Sequence, residues 1–253
     1  MPDPATLLAY ALVAVVAGFV DTLAGGGGLV TIPVLLLGGL PPLLALGTNK
    51  LQGTVGLLTS SFSLLRESRL SFATLALPFA TVLAGAAAGA SAVQMVDARR
   101  LDVLVPVVLA AIALYFVAAP RAGDVERTPR LGSAPFTALV LPAIGFYDGF
   151  FGPGAGSFFA LSGVGLRGWD LVRATASAKF FNLASNAAAL AIFVWLGRID
   201  WPIGLAMAAG QVVGARAGAA VVTRRGARLI RPTIVIVSVA MLCRYAWQKH
   251  LLG

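Results

Sequence analysis

Five charged side chains lie inside long apolar runs: Asp21, Lys50, Asp148, Lys179 and Arg216. A charge at the centre of a hydrocarbon layer costs at least about 2.5–3.5 kcal/mol. Each therefore needs a partner, a water-filled cavity or a ligand. The chain has only three lysines, and two of them are in this set. Lys50 lies eight residues after Pro42, and Lys179 lies nine after Asp170. At about 1.5 Å rise per residue these are depths of about 12 and 14 Å, near a bilayer midplane. Amides and hydroxyls adjoin both. Asn182 and Asn186 follow Lys179 at i+3 and i+7, and Thr175 precedes it at i−4, on one helical face. Asn49 and Gln52 flank Lys50, with Thr54 at i+4. A cation with amide and hydroxyl donors suits a small oxyanion. The structural alternative pairs Lys50 with Asp148 or Lys179 with Asp21, and spends the amides on interhelical hydrogen bonds.

Asp21 and Asp148 each stand just before a glycine cluster, Gly25–Gly28 and Gly152–Gly156. A membrane carboxylate can carry a coupling proton; it can equally cap a half-helix or neutralise a lysine. Gly27, Gly28, Gly154 and Gly156 are expected to bring backbone N–H groups at half-helix N-termini close to an anion. Tight helix crossing is the alternative use for them. No Walker lysine follows either cluster, which argues against a nucleotide phosphate loop. Arg216 sits about six residues from a span end, where snorkelling explains it. One cysteine (Cys243) and one histidine (His250, near the C-terminus) leave no disulfide framework and no His/Cys metal cluster. No catalytic residue, metal or cofactor is expected.

The elements that must position these residues are membrane helices. Of 253 residues, 58% are hydrophobic and 11% charged, against about 25% charged in a soluble domain. The formal charge of +9 comes from arginines scattered between apolar runs, not from one basic face, so no nucleic-acid partner is expected. Eight runs reach the roughly 20 residues that a span needs: 5–24, 43–65, 71–95, 101–119, 135–152, 171–196, 201–222 and 230–248. Runs 28–40 and 156–166 are too short, and read as half-helices or re-entrant loops. The N-terminus has no basic n-region and no clear cleavage site, so the first run is expected to be a retained helix.

The two halves resemble each other. Gly18-Phe19-Val20-Asp21 reappears as Gly145-Phe146-Tyr147-Asp148 at an offset of 127. Thr48-Asn49-Lys50 reappears as Ser177-Ala178-Lys179, Arg69-Leu70 as Arg198-Ile199, and Gly85–Ala90 as Gly214–Ala219, all at 129. The expected fold is an all-α polytopic membrane protein: about eight transmembrane helices, in two duplicated four-helix halves with glycine-broken or re-entrant half-helices. The halves would be residues 1–124 and 125–253. Duplicated halves with broken helices are a transporter signature, with the site near mid-membrane at the repeat interface. Parallel and inverted repeats both remain open.

These residues resemble the sulfite exporter TauE/SafE family, also called the 4-toluene sulfonate uptake permease family. The resemblance rests on Gly18-Phe19-Val20-Asp21 with its glycine run, on Thr48-Asn49-Lys50-Leu51-Gln52, and on Lys179-Phe180-Phe181-Asn182-Leu183-Ala184-Ser185-Asn186. It covers essentially the whole chain. It implies a secondary permease for sulfite, an organosulfonate or a related anion in a bacterial inner membrane. On this reading Lys50 and Lys179 attract the anion. Asn49, Gln52, Asn182 and Asn186 orient it, and proton coupling falls to Asp21 and Asp148. The partners are a small anionic substrate and membrane lipid; the sequence specifies no oligomeric state. The competing classes are an uncoupled anion channel and an intramembrane aspartyl-type enzyme built on an Asp21–Asp148 dyad.

Overall fold

The computed structural model describes residues 2–68, 72–97 and 128–225. The expected spans 101–119 and 230–248, Arg69, and the boundary at 124/125 lie outside the described residues. Among the described residues the chain is helical throughout: α1 Pro4–Ala24, α2 Gly27–Leu37, α3 Pro42–Ser68, α4 Phe72–Val93, α5 Leu141–Phe150, α6 Ala155–Arg167, α7 Leu171–Trp195 and α8 Trp201–Arg225. A single turn at Ser133–Pro135 and a π-helical turn at Phe136–Val140 lead into α5.

Local chemistry sets the ends. Asp3 caps α1 by accepting from the Thr6 amide at 2.9 Å and the Thr6 hydroxyl at 2.7 Å. Those bonds, the hydroxyl's foremost, hold the exposed Asp3 carboxyl below its usual range, so the cap stays charged. Asp170 caps α7 in the same way, through the Val172 and Arg173 amides. α1 stops at Gly25, whose φ of 73° suits glycine and whose N–H donates to the Asp21 carbonyl.

The two short runs are short helices. α2 has 11 residues and α6 has 13, so they reach only about 16 and 20 Å, against about 30 Å of hydrocarbon. Four described stretches are long and apolar enough to cross a membrane: Pro4–Leu23, Thr74–Val93, Val172–Trp195 and Trp201–Val221. On α1, Leu8, Leu12 and Val16 form an exposed stripe at i, i+4 and i+8. Such a face is costly in water and ordinary against lipid.

Two helix pairs close the bundle, α1 on α8 and α4 on α5. Both depend on glycine. A Cβ at Gly85 would overlap the Pro142 carbonyl, and one at Gly89 the Phe146 carbonyl. On the other pair, a Cβ at Gly214 would overlap the Val15 carbonyl, and one at Gly218 would lie 3.0 Å from the Phe19 carbonyl. Gly145 sits on Val82, and Gly18 sits on Gln211. Backbones this close gain dispersion contact where lipid offers no hydrophobic drive. α3 and α7 pack on each other between these pairs, which brings both lysines to the middle of the molecule.

Candidate functional site

Lys50 on α3 and Lys179 on α7 are each 1% exposed, so bulk water cannot neutralise them. Each finds its counter-charge on a residue distant in sequence. The Lys50 ammonium donates to Asp148 Oδ1 and to the Asp148 carbonyl, both at 2.6 Å. The Lys179 ammonium donates to the Asp21 carbonyl, and lies 3.4 Å from Asp21 Oδ2. Both partners stand at the ends of helices, Asp21 at the end of α1 and Asp148 near the end of α5. There the last carbonyls have no intrahelical donor and carry the negative end of the helix dipole. A lysine thus meets a carboxylate and a carbonyl on one residue, and the Asp21 carbonyl also accepts from the Gly25 amide.

Further donors hold the carboxylates. Asp148 Oδ2 accepts from the Ser185 hydroxyl, and from Asn186 Nδ2 at 3.1 Å. Asp21 Oδ1 accepts from the Gly27 amide at 3.1 Å. The N-terminus of α2, expected to face a ligand anion, is therefore capped by the chain's own Asp21. At Gly27 a Cβ would lie 2.7 Å from the Asp21 Cβ, so only glycine lets the carboxylate in. Gly152 has φ 95°, and a Cβ there would lie 2.9 Å from the Lys50 ammonium. Glycine at that position opens the path by which Lys50 reaches Asp148.

The amides mostly bond to one another. Thr31 on α2 donates to Asn49 Oδ1 at 2.6 Å, and Gln52 Nε2 donates to the same oxygen at 2.9 Å and to Thr31 Oγ1 at 3.2 Å. Asn186 Nδ2 donates to Asn182 Oδ1 at 2.9 Å. Thr54 donates to the Lys50 carbonyl, a bond inside its own helix.

These groups surround a cavity of about 20 Å³, room for about one water. Of the residues the sequence singled out, Asp21, Gly27, Gly28, Asn49, Lys50, Gln52, Asp148, Asn182 and Asn186 line it. Lys179 stands behind Asp21. Gly154 and Gly156 do not line the cavity. Gly154 supplies the left-handed turn before α6, with φ 76°, and Gly156 packs against Gly25, where a Cβ would lie 2.7 Å from the Gly25 Cα. Gly25 and Gly152 line it instead, because the break in each helix comes before the short helix, not within it.

Gln211 on α8 also lines the cavity and is 2% exposed. Matching the two halves hides it, because its counterpart at an offset of 129 is Val82. A polar side chain at a glycine-spaced helix crossing was the available signal. Arg216 is exposed, as snorkelling requires. A larger cleft of about 600 Å³ lies beside α4, the start of α5 and the start of α7, with Arg167 and Arg173 on its wall. It contains neither lysine and neither aspartate, and the buried polar chemistry lies in the smaller cavity. Each aspartate is engaged by a lysine, and no hydrogen bond joins Asp21 to Asp148 among the described residues.

Known proteins resemble the chain over nearly its whole length. The family model described as Sulfite exporter TauE/SafE matches residues 10–245. A "Probable membrane transporter protein ORF9" of Sinorhizobium sp is 45% identical, over 94% of this chain and 92% of its own. The "Probable membrane transporter protein YfcA" of Escherichia coli is 42% identical, over 99% and 93%. A "Probable membrane transporter protein" of Haemophilus influenzae is 43% identical, over 92% of each. No solved structure matches the chain.

Proposed function

The chain belongs to the sulfite exporter TauE/SafE family and is a membrane transporter, and from that premise we propose that it is a proton-coupled secondary permease for a small sulfur-containing oxyanion. Sulfite or an organosulfonate is the substrate class, a choice that rests on the family's description. The observation that carries the reading is the pair of lysines, each 1% exposed and each bound to an aspartate of the other half beside one polar cavity.

On this reading the charges couple the anion to a proton. Two lysines and two aspartates sum to zero. An incoming anion must therefore compete with a carboxylate for an ammonium group. Protonating that carboxylate removes the competitor, so anion and proton enter together without net charge. In a low-dielectric interior this matters, because an unpaired buried charge is strongly unfavourable. The site would form at the interface of two duplicated halves, 1–124 and 125–253. The matched glycine contacts support that duplication: Gly85–Pro142 corresponds to Gly214–Val15, and Gly145–Val82 to Gly18–Gln211, at the sequence offsets of 127 and 129. The short helices α2 and α6 would be re-entrant, and the chain would cross a bacterial inner membrane several times.

Vesicles reconstituted with the protein test the reading. A pH gradient is expected to drive labelled sulfite, or a taurine-like sulfonate, above its bath concentration. Equilibration without accumulation identifies a channel, and absence of flux for every sulfur oxyanion overturns the substrate class.

A further inference from the structure

Two acceptors on residues that line the cavity have no hydrogen-bond partner among the described residues: Gln52 Oε1 and Gln211 Oε1. The side chains are 1% and 2% exposed, so bulk water cannot serve these oxygens. The placement of the Gln52 oxygen follows from its neighbours. Thr31 donates to Asn49 Oδ1 at 2.6 Å, much closer than its other acceptor, the Gly27 carbonyl at 3.1 Å, which favours the oxygen at that position, and Gln52 Nε2 then donates to it. Turning the Gln52 amide over would set oxygen against oxygen at 2.9 Å, so the Gln52 carbonyl is the end left free. Gln211 reaches the cavity over Gly56, where a Cβ would collide with its side chain. The cavity wall therefore presents the Lys50 ammonium together with two bare carbonyl acceptors.

An anion whose outer atoms are all acceptors satisfies the lysine and repels these carbonyls. An anion that also carries an O–H or N–H satisfies both. Building on the proposed anion site, we infer that its substrate is a monoanion with a donor of its own, a hydrogen oxyanion or an amino- or hydroxyl-bearing sulfonate, and that Gln52 and Gln211 select it. Sites that bond a substrate hydroxyl or amine reject analogues lacking it, because buried acceptors are left unpaired.

Sulfamate and methanesulfonate separate the two cases. Both are monoanions of closely similar shape, and one carries NH2 where the other carries CH3. Calorimetric titration of the purified full-length protein in nanodiscs at neutral pH is expected to show sulfamate binding at least about tenfold tighter. In Gln211→Met that ratio is expected to fall toward one, with Gln52→Met as a second variant. Equal wild-type binding of the two anions overturns donor selection and leaves the anion site standing. Binding of neither overturns both. A sulfamate preference that survives both substitutions overturns the assignment to these glutamines. The wild-type comparison decides the inference even where a variant does not fold.

Discussion

A lysine that is 1% exposed keeps its charge only if something nearby replaces water, and here the replacement is an aspartate carboxylate plus that residue's own carbonyl at a helix end. Removing one member strands the other. Lys50→Met alone is therefore expected to cost about 3–5 kcal/mol, while Lys50→Met with Asp148→Leu is expected to recover most of it. Thermal unfolding in detergent measures the difference; equal losses would show that the two side chains are not energetically coupled. Asp21→Asn keeps an oxygen to accept from Gly27 but carries no titrating proton. Downhill flux is expected to persist and accumulation under a pH gradient to vanish; accumulation at the wild-type level would place the coupling proton elsewhere. The positions of Lys50, Lys179, Asp21 and Asp148 were legible in the sequence because a charge in an apolar run stands out. Which partner each amide would choose was not, since Asn49, Gln52, Asn182 and Asn186 have several acceptors within reach, and only folding decides among them.

At the scale of elements, glycine does two distinct jobs. Gly25, Gly152 and Gly154 have φ of 73°, 95° and 76° and turn the chain between a long helix and a short one. Gly85, Gly89, Gly214 and Gly218 lie inside helices and permit their contact. Spacing separates these groups in the structure: clusters mark turns, and intervals of four mark crossings. The sequence placed the starts of α2 and α6 within one residue, because a glycine cluster is a sharp signal. It could not tell which glycines of a cluster would face the cavity, since that depends on where the opposing helix lies. Gly89→Ala is expected to destabilise by about 1–3 kcal/mol, because a Cβ there has no room beside the Phe146 carbonyl. Gly165→Ala on α6 meets nothing within 4 Å, and is expected to be neutral or to stabilise by up to about 1 kcal/mol through helix propensity. Melting curves of the two variants side by side check this; equal effects would contradict the crossing geometry.

Over the whole molecule, the lysine–aspartate pairs tie α3 to α5 and α7 to α1 beside one cavity. A cavity of about 20 Å³ is too small for a sulfur oxyanion, so the proposed transport would require the pairs around it to separate. Leu57 lines the cavity and is 2% exposed. In a background where the single native cysteine is changed, Cys243→Ser, a Leu57→Cys thiol is expected to react with a polar reagent at least about tenfold faster during transport than at rest. An unchanged rate would show that the cavity does not open. The most direct test of the central claim, that the lysine–aspartate pairs are the anion site, compares wild-type protein with Lys50→Met plus Asp148→Leu in vesicles under an imposed pH gradient. The crossed-pair account predicts that the wild type accumulates labelled sulfite, while the folded, charge-neutral variant moves none. Accumulation by that variant at the wild-type rate would contradict it.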